Sequence, residues 1–308
     1  MSILYDITEV SQVAEYDAEV FILASGSDDR AIAMLNNLRE VPNVITKVLL
    51  LKYDAFDIDL LKTAFPSADI AIIDVSGDSV SFLLSLQENE EILKSHKILI
   101  DVTSIRIPEM FVLFKSLKLL NENVCLRIAY STPIEYEFEA EPFTSYHSYF
   151  GNLKTIDLVG FGGTSEDMSH TQMIIFLGFE GVLSAKVSED VRYDKLTVVN
   201  NLPSFFEKYK DISVINNFDL LTRRRERIRY VPANNPFETY NFLADQLADD
   251  EPACVAPLST KPVALGVCLY ALAHDSLRVV YPTADEYKHH RANSVHSTYI
   301  YSISLNKI

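Results

Sequence analysis

The chain contains 308 residues, of which 48% are apolar and 23% charged, and its formal net charge is −16 at pH 7. This composition excludes disordered, collagen-like and disulfide-scaffold proteins. The acidic balance argues against general binding to duplex DNA or to an anionic membrane. Its three cysteines have no CxxC spacing and lie in apolar runs, which is typical of reduced thiols in the cytoplasm.

The N-terminal segment and the apolar runs give no sign of export or of membrane insertion. The first twenty residues contain five carboxylates, and they have neither a basic region nor an apolar core of the kind found in signal peptides. The longest uncharged apolar stretch, residues 262–273, is shorter than the roughly 20 residues that cross a bilayer. We therefore expect a cytoplasmic protein without a membrane partner.

The first half alternates short apolar runs with longer helical patterns, which indicates βαβ units and a mostly parallel sheet. The predicted strands are Val20–Ala24, Lys47–Lys52, Asp69–Asp74, Lys97–Val102 and Val124–Tyr130. The predicted helices between them are Asp28–Arg39, Asp57–Phe65, Ser79–Leu93 and Pro108–Leu120. The strands are nearly continuous apolar runs, as expected when helices cover both faces of a sheet.

The second half repeats this alternation. Its predicted strands are Met173–Gly178, Leu196–Asn200, Ile212–Asn216, Ala253–Ala256 and Leu277–Tyr281. Its predicted helices are Val182–Val191, Phe237–Leu247 and Val263–Ala273. The glycine-rich stretch Gly160–Ser165 favours a linker over a phosphate loop, because no clear helix follows it. We therefore predict two domains, residues 1–150 and residues 151–308.

An internal repeat relates the two halves. The residues 126–136 and 277–287 share the pattern L-R-x-x-Y-x-T-x-x-E-Y. The offset is 151 residues between Tyr130 and Tyr281, and 152 residues between the turn glycines Gly26 and Gly178. Two separated landmarks thus agree, and the predicted fold is a pair of tandem doubly wound, Rossmann-like three-layer units related by internal duplication.

Small and hydroxyl residues follow the first and fourth predicted strands of each half, at the edge where open parallel sheets bind ligands. Tight turns of this kind leave backbone N–H groups available for an anion at a helix N-terminus. The hydroxyl side chains either cap the following helix or bind a phosphate or ribose, and Lys261 favours an anion in the second copy. The candidate ligand-binding residues are Ser25, Gly26, Ser27, Thr103, Ser104, Gly178, Glu180, Gly181, Ser259, Thr260 and Lys261.

No motif requires catalysis, a metal or a cofactor. Neither half contains G-x-G-x-x-G, a Walker A sequence or a G-x-S-x-G elbow, and His289, His290 and His296 lack a metal-binding spacing. Arg127 and Arg278 lie within apolar strands, so we expect carboxylate partners, with Glu135 and Glu286 as candidates.

Basic residues cluster at one place, the run Arg223–Arg229. Residues 151–308 hold 16 Lys and Arg against 19 Asp and Glu, whereas residues 1–150 hold 11 against 24. The run either clamps phosphates or docks an acidic partner, or it is a solvated helix face, and the sequence leaves its role open.

The turns at residues 100–109, I-D-V-T-S-I-R-I-P-E, and 256–266, A-P-L-S-T-K-P-V-A-L-G, resemble the signature turn of CARF domains. CARF domains are Rossmann-like sensors of cyclic oligonucleotides in prokaryotic antiviral defence, and the related SAVED domains fuse two such units in one chain. The second copy keeps Ser-Thr-Lys-Pro but has no glycine pair, and the first keeps Thr-Ser and a later Pro but lacks the Lys. The resemblance implies a nucleotide or cyclic oligonucleotide ligand at the candidate residues and signalling through a separate effector protein.

These observations favour a non-enzymatic nucleotide sensor that acts in prokaryotic defence. Two alternatives stay open. One is an enzyme that acts on a nucleotide or phosphorylated substrate, and the other is an acidic adaptor subunit of a larger defence complex. A bound nucleotide would favour the sensor or the enzyme, whereas salt-sensitive association without a small ligand would favour the adaptor.

Overall fold

The structure is a computed structural model that describes residues 6–10, 16–26, 28–41, 44–75, 77–121, 123–136, 149–163, 171–224, 227–247, 252–284, 286–287 and 292–307. It divides into two compact units. Unit 1 comprises residues 1–137 and 291–308, and unit 2 comprises residues 138–290. The domains predicted from the sequence were the contiguous halves 1–150 and 151–308. The structure differs from them at the C-terminal segment, which belongs to unit 1, and at residues 149–150, which belong to unit 2.

Unit 1 contains a seven-stranded sheet and five α-helices among its described residues. The strands are β1 (Asp6–Glu9), β2 (Val20–Ala24), β3 (Lys47–Lys52), β4 (Asp69–Asp74), β5 (Lys97–Asp101), β6 (Cys125–Tyr136) and, from the end of the chain, β15 (Ala292–Ser304). The helices are α1 (Ala33–Glu40), α2 (Ile58–Ala64), α3 (Ser79–Glu88), α4 (Glu90–Leu93) and α5 (Ile107–Leu120).

Unit 2 contains a six-stranded sheet, a short two-stranded sheet and five α-helices among its described residues. The strands are β7 (Tyr149–Phe150), β8 (Lys154–Gly162), β9 (Gln172–Phe176), β10 (Lys195–Asn201), β11 (Ile228–Val231), β12 (Ala253–Pro257), β13 (Arg278–Thr283) and β14 (Glu286–Tyr287). The helices are α6 (Gly181–Asp190), α7 (Glu207–Asn216), α8 (Phe218–Arg224), α9 (Pro236–Gln246) and α10 (Lys261–Ala273).

Aspartate side chains cap the turn before α1 and the helices α2 and α3. The side chains of Asp28, Asp57 and Asp78 each accept a hydrogen bond from a backbone N–H in the first turn that follows. Such caps satisfy donors that have no partner within the helix. The turn after Asp28 is a 3₁₀ turn, and α1 continues from it.

The two large sheets share one strand order. The order in unit 1 is β1-β15-β6-β5-β2-β3-β4, and the order in unit 2 is β11-β10-β9-β12-β13-β8. Counting only the parallel strands in chain order, both sheets read 3-2-1-4-5, and antiparallel strands extend each sheet beyond the fifth strand. This is the doubly wound order of Rossmann-like folds, so the predicted fold class is confirmed.

The repeat is preserved at the level of strand register. Arg127 on β6 pairs with Leu99 on β5, and Arg278 on β13 pairs with Cys254 on β12. Leu99 and Cys254 in turn face the second residues of the first parallel strands, Phe21 and Met173. The two arginines therefore occupy the same row of the two sheets, which is what duplication of one unit produces.

Helices cover the sheets, and apolar side chains fill the spaces between them. In unit 1, Phe21 and Leu23 of β2 pack with Met34 and Leu35 of α1 in one buried cluster. In unit 2, Met173 and Ile175 of β9 belong to an equivalent buried cluster. All five residues of β2, of β9 and of β12 are buried, which explains why these strands read as unbroken apolar runs.

Unit 2 is inserted within a strand pair of unit 1. The chain leaves unit 1 after β6 and returns as β15, which runs antiparallel to β6 from Ala292 opposite Tyr136 to Ser304 opposite Cys125. β15 also pairs with β1 on its other side. The C-terminal segment thus belongs to unit 1 because these backbone hydrogen bonds hold it there.

One predicted strand is wrong. Residues 212–216 form the end of helix α7, and the third parallel strand of unit 2 is β11. The β-branched residues of this run favour a strand, but the buried positions Tyr209, Ile212 and Ser213 follow the helical spacing. The period of burial, not the local propensity, decides the structure here.

The predicted linker also differs from the structure. Gly160, Phe161 and Gly162 lie within β8, which pairs antiparallel with β13 at the far edge of the sheet. Glycines are tolerated there because the pairing is irregular, with a register shift between Arg278 and Val280 and a positive φ at Gly160. Residues 164 and 165 lie outside the described residues. Among the described helices, none has the length and apolar character that a membrane span needs.

Candidate functional site

In unit 2, the turns that follow the first and fourth parallel strands touch each other. A Cβ atom at Gly178, after β9, would lie 2.2 Å from the carbonyl oxygen of Leu258, after β12. The position therefore accepts only glycine unless the backbone moves. This contact brings Ser259, which follows Leu258, beside the turn that precedes α6.

Helix α7 fixes the shape of the Gly178–Gly181 turn. The carbonyl oxygen of Gly178 accepts hydrogen bonds from Ser213 Oγ at 3.1 Å and from Asn217 Nδ2 at 3.0 Å. A Cβ atom at Gly181 would lie only 1.7 Å from the carbonyl oxygen of Asn216. Glu180 is half-buried at the N-cap position of α6, where its side chain makes no capping hydrogen bond.

The hydroxyls before α10 do not cap that helix, so the capping interpretation is wrong for this turn. Ser259 Oγ donates to Asn201 Oδ1 at 2.6 Å, and Thr260 Oγ1 donates to the carbonyl oxygen of Ala233 at 2.6 Å. Thr260 is the N-cap residue, but its side chain makes no capping bond. Helix α10 therefore begins at Lys261 without a capping hydrogen bond from the side chain of its N-cap residue.

Four strand ends thus meet in one cluster at the carboxyl edge of the unit 2 sheet. It joins Gly178, Asn201, Ala233 and Ser259, which follow or end β9, β10, β11 and β12. Helix α10 begins two residues after Ser259, and Lys261 is its first residue. Backbone N–H groups, the positive end of a 13-residue helix and an ammonium group together attract an anion.

An aromatic cluster lies beside this edge, and its residues are not among those predicted from the sequence to bind a ligand. The ring of Tyr209 contacts Phe179 and Phe206, with both centroid distances 5.3 Å. Phe179 directly follows Gly178, so the cluster borders the turn described above. The signal in the sequence is the aromatic and basic run from Phe205 to Lys210, which reads as an ordinary amphipathic helix start.

In unit 1, the corresponding turns also pack together. A Cβ atom at Gly26 would lie 2.5 Å from Ser104 Oγ, so Gly26 and Ser104 are neighbours as Gly178 and Leu258 are. Ser25 is buried, and its Oγ accepts hydrogen bonds from the backbone N–H groups of Tyr53 and Asp54. The Ser25 hydroxyl therefore holds the turn after β3. Ser27 lies outside the described residues.

Thr103 ties two strands of unit 1 together. Its N–H donates to Asp101 Oδ1 at 3.0 Å, and its Oγ1 accepts the N–H of Ser131 at 2.9 Å. Ser131 Oγ lies 2.8 Å from Thr298 Oγ1, which links β6 to β15. The Thr103 hydroxyl thus accepts a hydrogen bond from a backbone N–H of β6 and does not cap α5, whose N-cap residue is Arg106.

The chain's own Tyr53 occupies the start of α5. The N–H of Arg106 donates to Tyr53 Oη at 3.2 Å, and the Arg106 guanidinium lies 4.3 Å from the centre of the Tyr53 ring. Burial raises the pKa of the Tyr53 phenol, and the nearby Glu109 carboxylate raises it further. The phenol is therefore neutral at physiological pH. Unit 2 has the residue pair Thr260 and Lys261 where unit 1 has Arg106 and Ile107.

A second basic group of unit 1, Arg30, was not among the predicted site residues. Its guanidinium makes an ion pair with Asp28, with the closest nitrogen 2.8 Å from Oδ2, and it lies 5.5 Å from the centre of the Tyr136 ring. Both side chains of the ion pair are largely buried. Because Arg30 lies in the turn that follows β2, it borders the same edge of the sheet as Gly26.

The predicted partners of the two strand arginines are wrong. Arg278 Nε donates to Asp157 Oδ1 at 2.5 Å, across the pairing of β13 with β8. The charge of Arg127 is felt at Asp17. The hydrogen bond from Lys97 lowers the pKa of the Asp17 carboxyl, and the positive charge of Arg127 lowers it to a smaller extent. Arg127 and Glu135 are eight residues apart on β6, about 26 Å along an extended strand, so this pair does not form. The side chain of Glu286 lies outside the described part of the chain.

The basic run 223–229 spans a helix end and a sheet edge. Arg223 and Arg224 end helix α8, whereas Arg225 and Glu226 lie outside the described residues. Arg227 and Arg229 flank Ile228, and both arginines are exposed. Of the histidines singled out in the sequence, His289 and His290 lie outside the described residues, and His296 is exposed on β15.

Comparison with known proteins adds little to this description. No family model matches the chain. No curated protein matches it. Among solved structures, phosphoethanolamine N-methyltransferase 1 of Haemonchus contortus, in complex with phosphoethanolamine and S-adenosylhomocysteine, aligns with 81% of this chain and 71% of its own at 8% identity. The TM-score of 0.24 is too low to support any conclusion about this chain.

Proposed function

We propose that the protein is a non-enzymatic sensor of a nucleotide or cyclic oligonucleotide, and that its ligand binds at the carboxyl edge of unit 2. The observation that carries this proposal is the cluster of Gly178, Asn201, Ala233 and Ser259, together with Lys261 at the start of α10. Helix α10 starts there with no side-chain cap, beside a turn in which glycine is required. The doubly wound fold places its ligand sites at this edge.

The chemistry of the cluster suits a phosphate next to a sugar or base. Lys261 and the first N–H groups of α10 would bind the phosphate. The hydroxyls of Ser259 and Thr260 lie within the same turn and are able to exchange their present acceptors for a ribose. Phe179, beside Gly178, offers an aromatic surface on which a base stacks.

The choice of a cyclic oligonucleotide, of a role in prokaryotic defence and of a separate effector protein rests on the resemblance to CARF and SAVED domains. The candidate residues of unit 1, including Gly26, Thr103 and Ser104, stay part of this proposal as a second contact surface. The contact of Tyr53 with the start of α5 favours unit 2 as the stronger of the two sites.

The test is isothermal titration calorimetry of the full chain with cyclic and linear adenylate oligonucleotides. We expect binding to one of these classes, and we expect Lys261→Ala to raise its Kd at least about tenfold, since a charged hydrogen bond is lost. Lys195→Ala is the matched control, because Lys195 begins β10 at the opposite edge of the sheet. Folded protein that gives no heat with any of these compounds would contradict the proposal.

A parallel assay separates sensing from catalysis. The protein is incubated with the ligand that binds, and the ligand is then recovered and analysed by mass spectrometry. A sensor returns the ligand intact. Cleavage that depends on Lys261 and Thr103 would instead favour the nucleotide-substrate enzyme.

A further inference from the structure

In each large sheet, the third parallel strand in chain order lies at the edge. The two edge strands carry opposite charge. β4 ends the sheet of unit 1, and β11 ends the sheet of unit 2. Within the described residues, neither strand has a neighbour on its outer side. The backbone N–H and C=O groups on that side are therefore available to another strand.

The outer strand of unit 1, which we call the acidic edge, consists of β4 with exposed Asp69 and Asp74 at its ends. Asp74 Oδ1 lies 3.0 Å from Lys52 Nζ, but the Asp74 side chain is 70% exposed. Ile72 lies between the two aspartates and is also exposed. Helix α3, which contacts β4, adds exposed Val80 and Leu84 one turn apart.

The outer strand of unit 2, which we call the basic edge, consists of β11 together with Arg227. Arg227 and Arg229 are exposed, and so is Tyr230. Leu202, whose N–H donates to the carbonyl oxygen of Val231 at the end of β11, is 51% exposed. Apolar and cationic residues thus alternate along this edge, whereas the two anionic residues of the acidic edge lie at the ends of its strand.

We propose that the acidic edge of one chain pairs with the basic edge of a second copy of the same chain, so that the two sheets continue into each other. Main-chain hydrogen bonds would join the strands. Arg227 and Arg229 lie on one face of the basic edge, and Asp69 and Asp74 lie on opposite faces of β4, so one of the two aspartates would face the arginines. Ile72 and Tyr230, which water now contacts, would be covered by the partner strand.

The opposite charges of the two edges are the reason to expect a second copy of the chain as the partner. Proteins discourage accidental edge pairing with short strands and with charged side chains, and like charges on both edges would do so here. The charges of β4 and β11 are opposite, so they attract each other between copies. Because the contact joins two different surfaces, each dimer keeps one edge of each kind and is able to add further copies.

The test is sedimentation velocity of the full chain without ligand, over protein concentrations from about 1 to 100 µM. We expect species larger than a monomer that grow with concentration at about 50 mM NaCl and decline at about 500 mM NaCl, where charges are screened. A chain that stays monomeric throughout this range would overturn the proposal.

Charge reversal identifies the surfaces. Arg227→Glu with Arg229→Glu should weaken association at least about tenfold, and so should Asp69→Lys with Asp74→Lys. A mixture of the two double variants should associate again, because each then meets its complement. The control variants Arg192→Glu and Asp245→Lys change exposed residues that belong to neither edge strand, and they should leave association unchanged.

Recovery in the mixture also shows that both double variants are folded, and circular dichroism checks this independently. Association that persists in both double variants, or that the controls abolish equally, would place the contact elsewhere and overturn the proposal.

Discussion

Tyr16 shows how one buried phenol adds a pH dependence to the stability of unit 1. The side chain is buried, and its oxygen has no hydrogen-bond partner among the described residues. Burial raises the pKa of this phenol to about 12, against a smaller opposing effect of Arg127. A buried hydroxyl without a partner costs about 1–3 kcal/mol, so the ring stabilises the unit while the hydroxyl opposes it.

We expect Tyr16→Phe to leave the free energy of unfolding at pH 7 unchanged or to raise it by up to about 1 kcal/mol. The pKa of the phenol is higher in the folded than in the unfolded state. Its contribution to stability is therefore complete below pH 10 and is lost as the pH rises from about 10 towards 12. Urea denaturation at pH 7 and pH 11 should show a smaller alkaline loss in the variant than in the original protein.

The control for this measurement is Tyr230→Phe, which removes the hydroxyl of an exposed tyrosine. It should change the free energy of unfolding by no more than about 0.5 kcal/mol at pH 7 or at pH 11. A clear loss of stability at pH 7 in Tyr16→Phe would mean that its hydroxyl makes a hydrogen bond that stabilises the fold.

The three cysteines should differ sharply in reactivity. Cys125 is exposed at the start of β6, whereas Cys254 and Cys268 are buried. Burial raises the pKa of the Cys254 thiol to about 12, which leaves almost no reactive thiolate at pH 8. We expect Ellman's reagent to modify one thiol quickly in the native protein and all three after denaturation. The Cys125→Ser variant should lose the fast reaction, and a remaining fast thiol would contradict this assignment.

At the scale of secondary structure, the glycine turns of unit 2 depend on close backbone contacts. Gly178→Ala and Gly181→Ala place a Cβ atom against the carbonyl oxygens of Leu258 and Asn216. We expect each variant to lower the free energy of unfolding by about 1–3 kcal/mol or more, because the backbone has to move. Urea denaturation followed by circular dichroism measures this loss.

Gly162→Ala is the matched control, because a Cβ atom there meets nothing within 4 Å. Its stability should stay within about 0.5 kcal/mol of the original protein. Equal effects of all three substitutions would show that loss of glycine flexibility, and not the close contacts, determines the outcome.

The sequence predicts the inner strands and the turns of both units well, and physical reasons explain where it fails. The inner strands β2 and β3 begin and end where predicted, because a strand covered on both faces is an unbroken apolar run. The outer strand β4 also has its predicted bounds. The edge strand β11 was missed because its arginines hide the pattern. The neighbouring run that ends α7 took its place because Val214 and Ile215 suit a strand equally well.

The sequence also predicts one part of the candidate site and not the other. The positions of Gly178 and Ser259 follow from strand order, since turns after neighbouring parallel strands meet at one edge. The acceptors of the Ser259 and Thr260 hydroxyls lie 58 and 27 residues earlier in the chain, so no local pattern reveals them. For the same reason, the contact of Tyr53 with the start of α5 was not foreseen.

At the scale of the whole molecule, the C-terminal strand should control the stability of unit 1. Tyr301 on β15 is fully buried, and β15 lies between β1 and β6. We expect Tyr301→Ala to lower the free energy of unfolding by about 3–5 kcal/mol. Hydrogen exchange should show the loss of protection in β6 and β2 of unit 1 more than in β9 and β12 of unit 2.

Leu119→Ala is the control in unit 1, because this leucine is 74% exposed on α5. It should leave protection in both units nearly unchanged. A uniform loss of protection across both units in Tyr301→Ala would show that the two units unfold as one, and not that β15 stabilises unit 1 in particular.

The insertion of unit 2 between β6 and β15 also determines the order in which the protein is completed during its synthesis. All strands of unit 2 emerge from the ribosome before β15, so unit 2 is complete while the sheet of unit 1 still lacks a strand. At about 5–20 residues per second, translation of residues 137–291 takes on the order of ten seconds. During that time β6 has no neighbour on the side that β15 covers. A chain that terminates early keeps this side open, so truncated products should be prone to aggregation and should depend on chaperones far more than the finished protein.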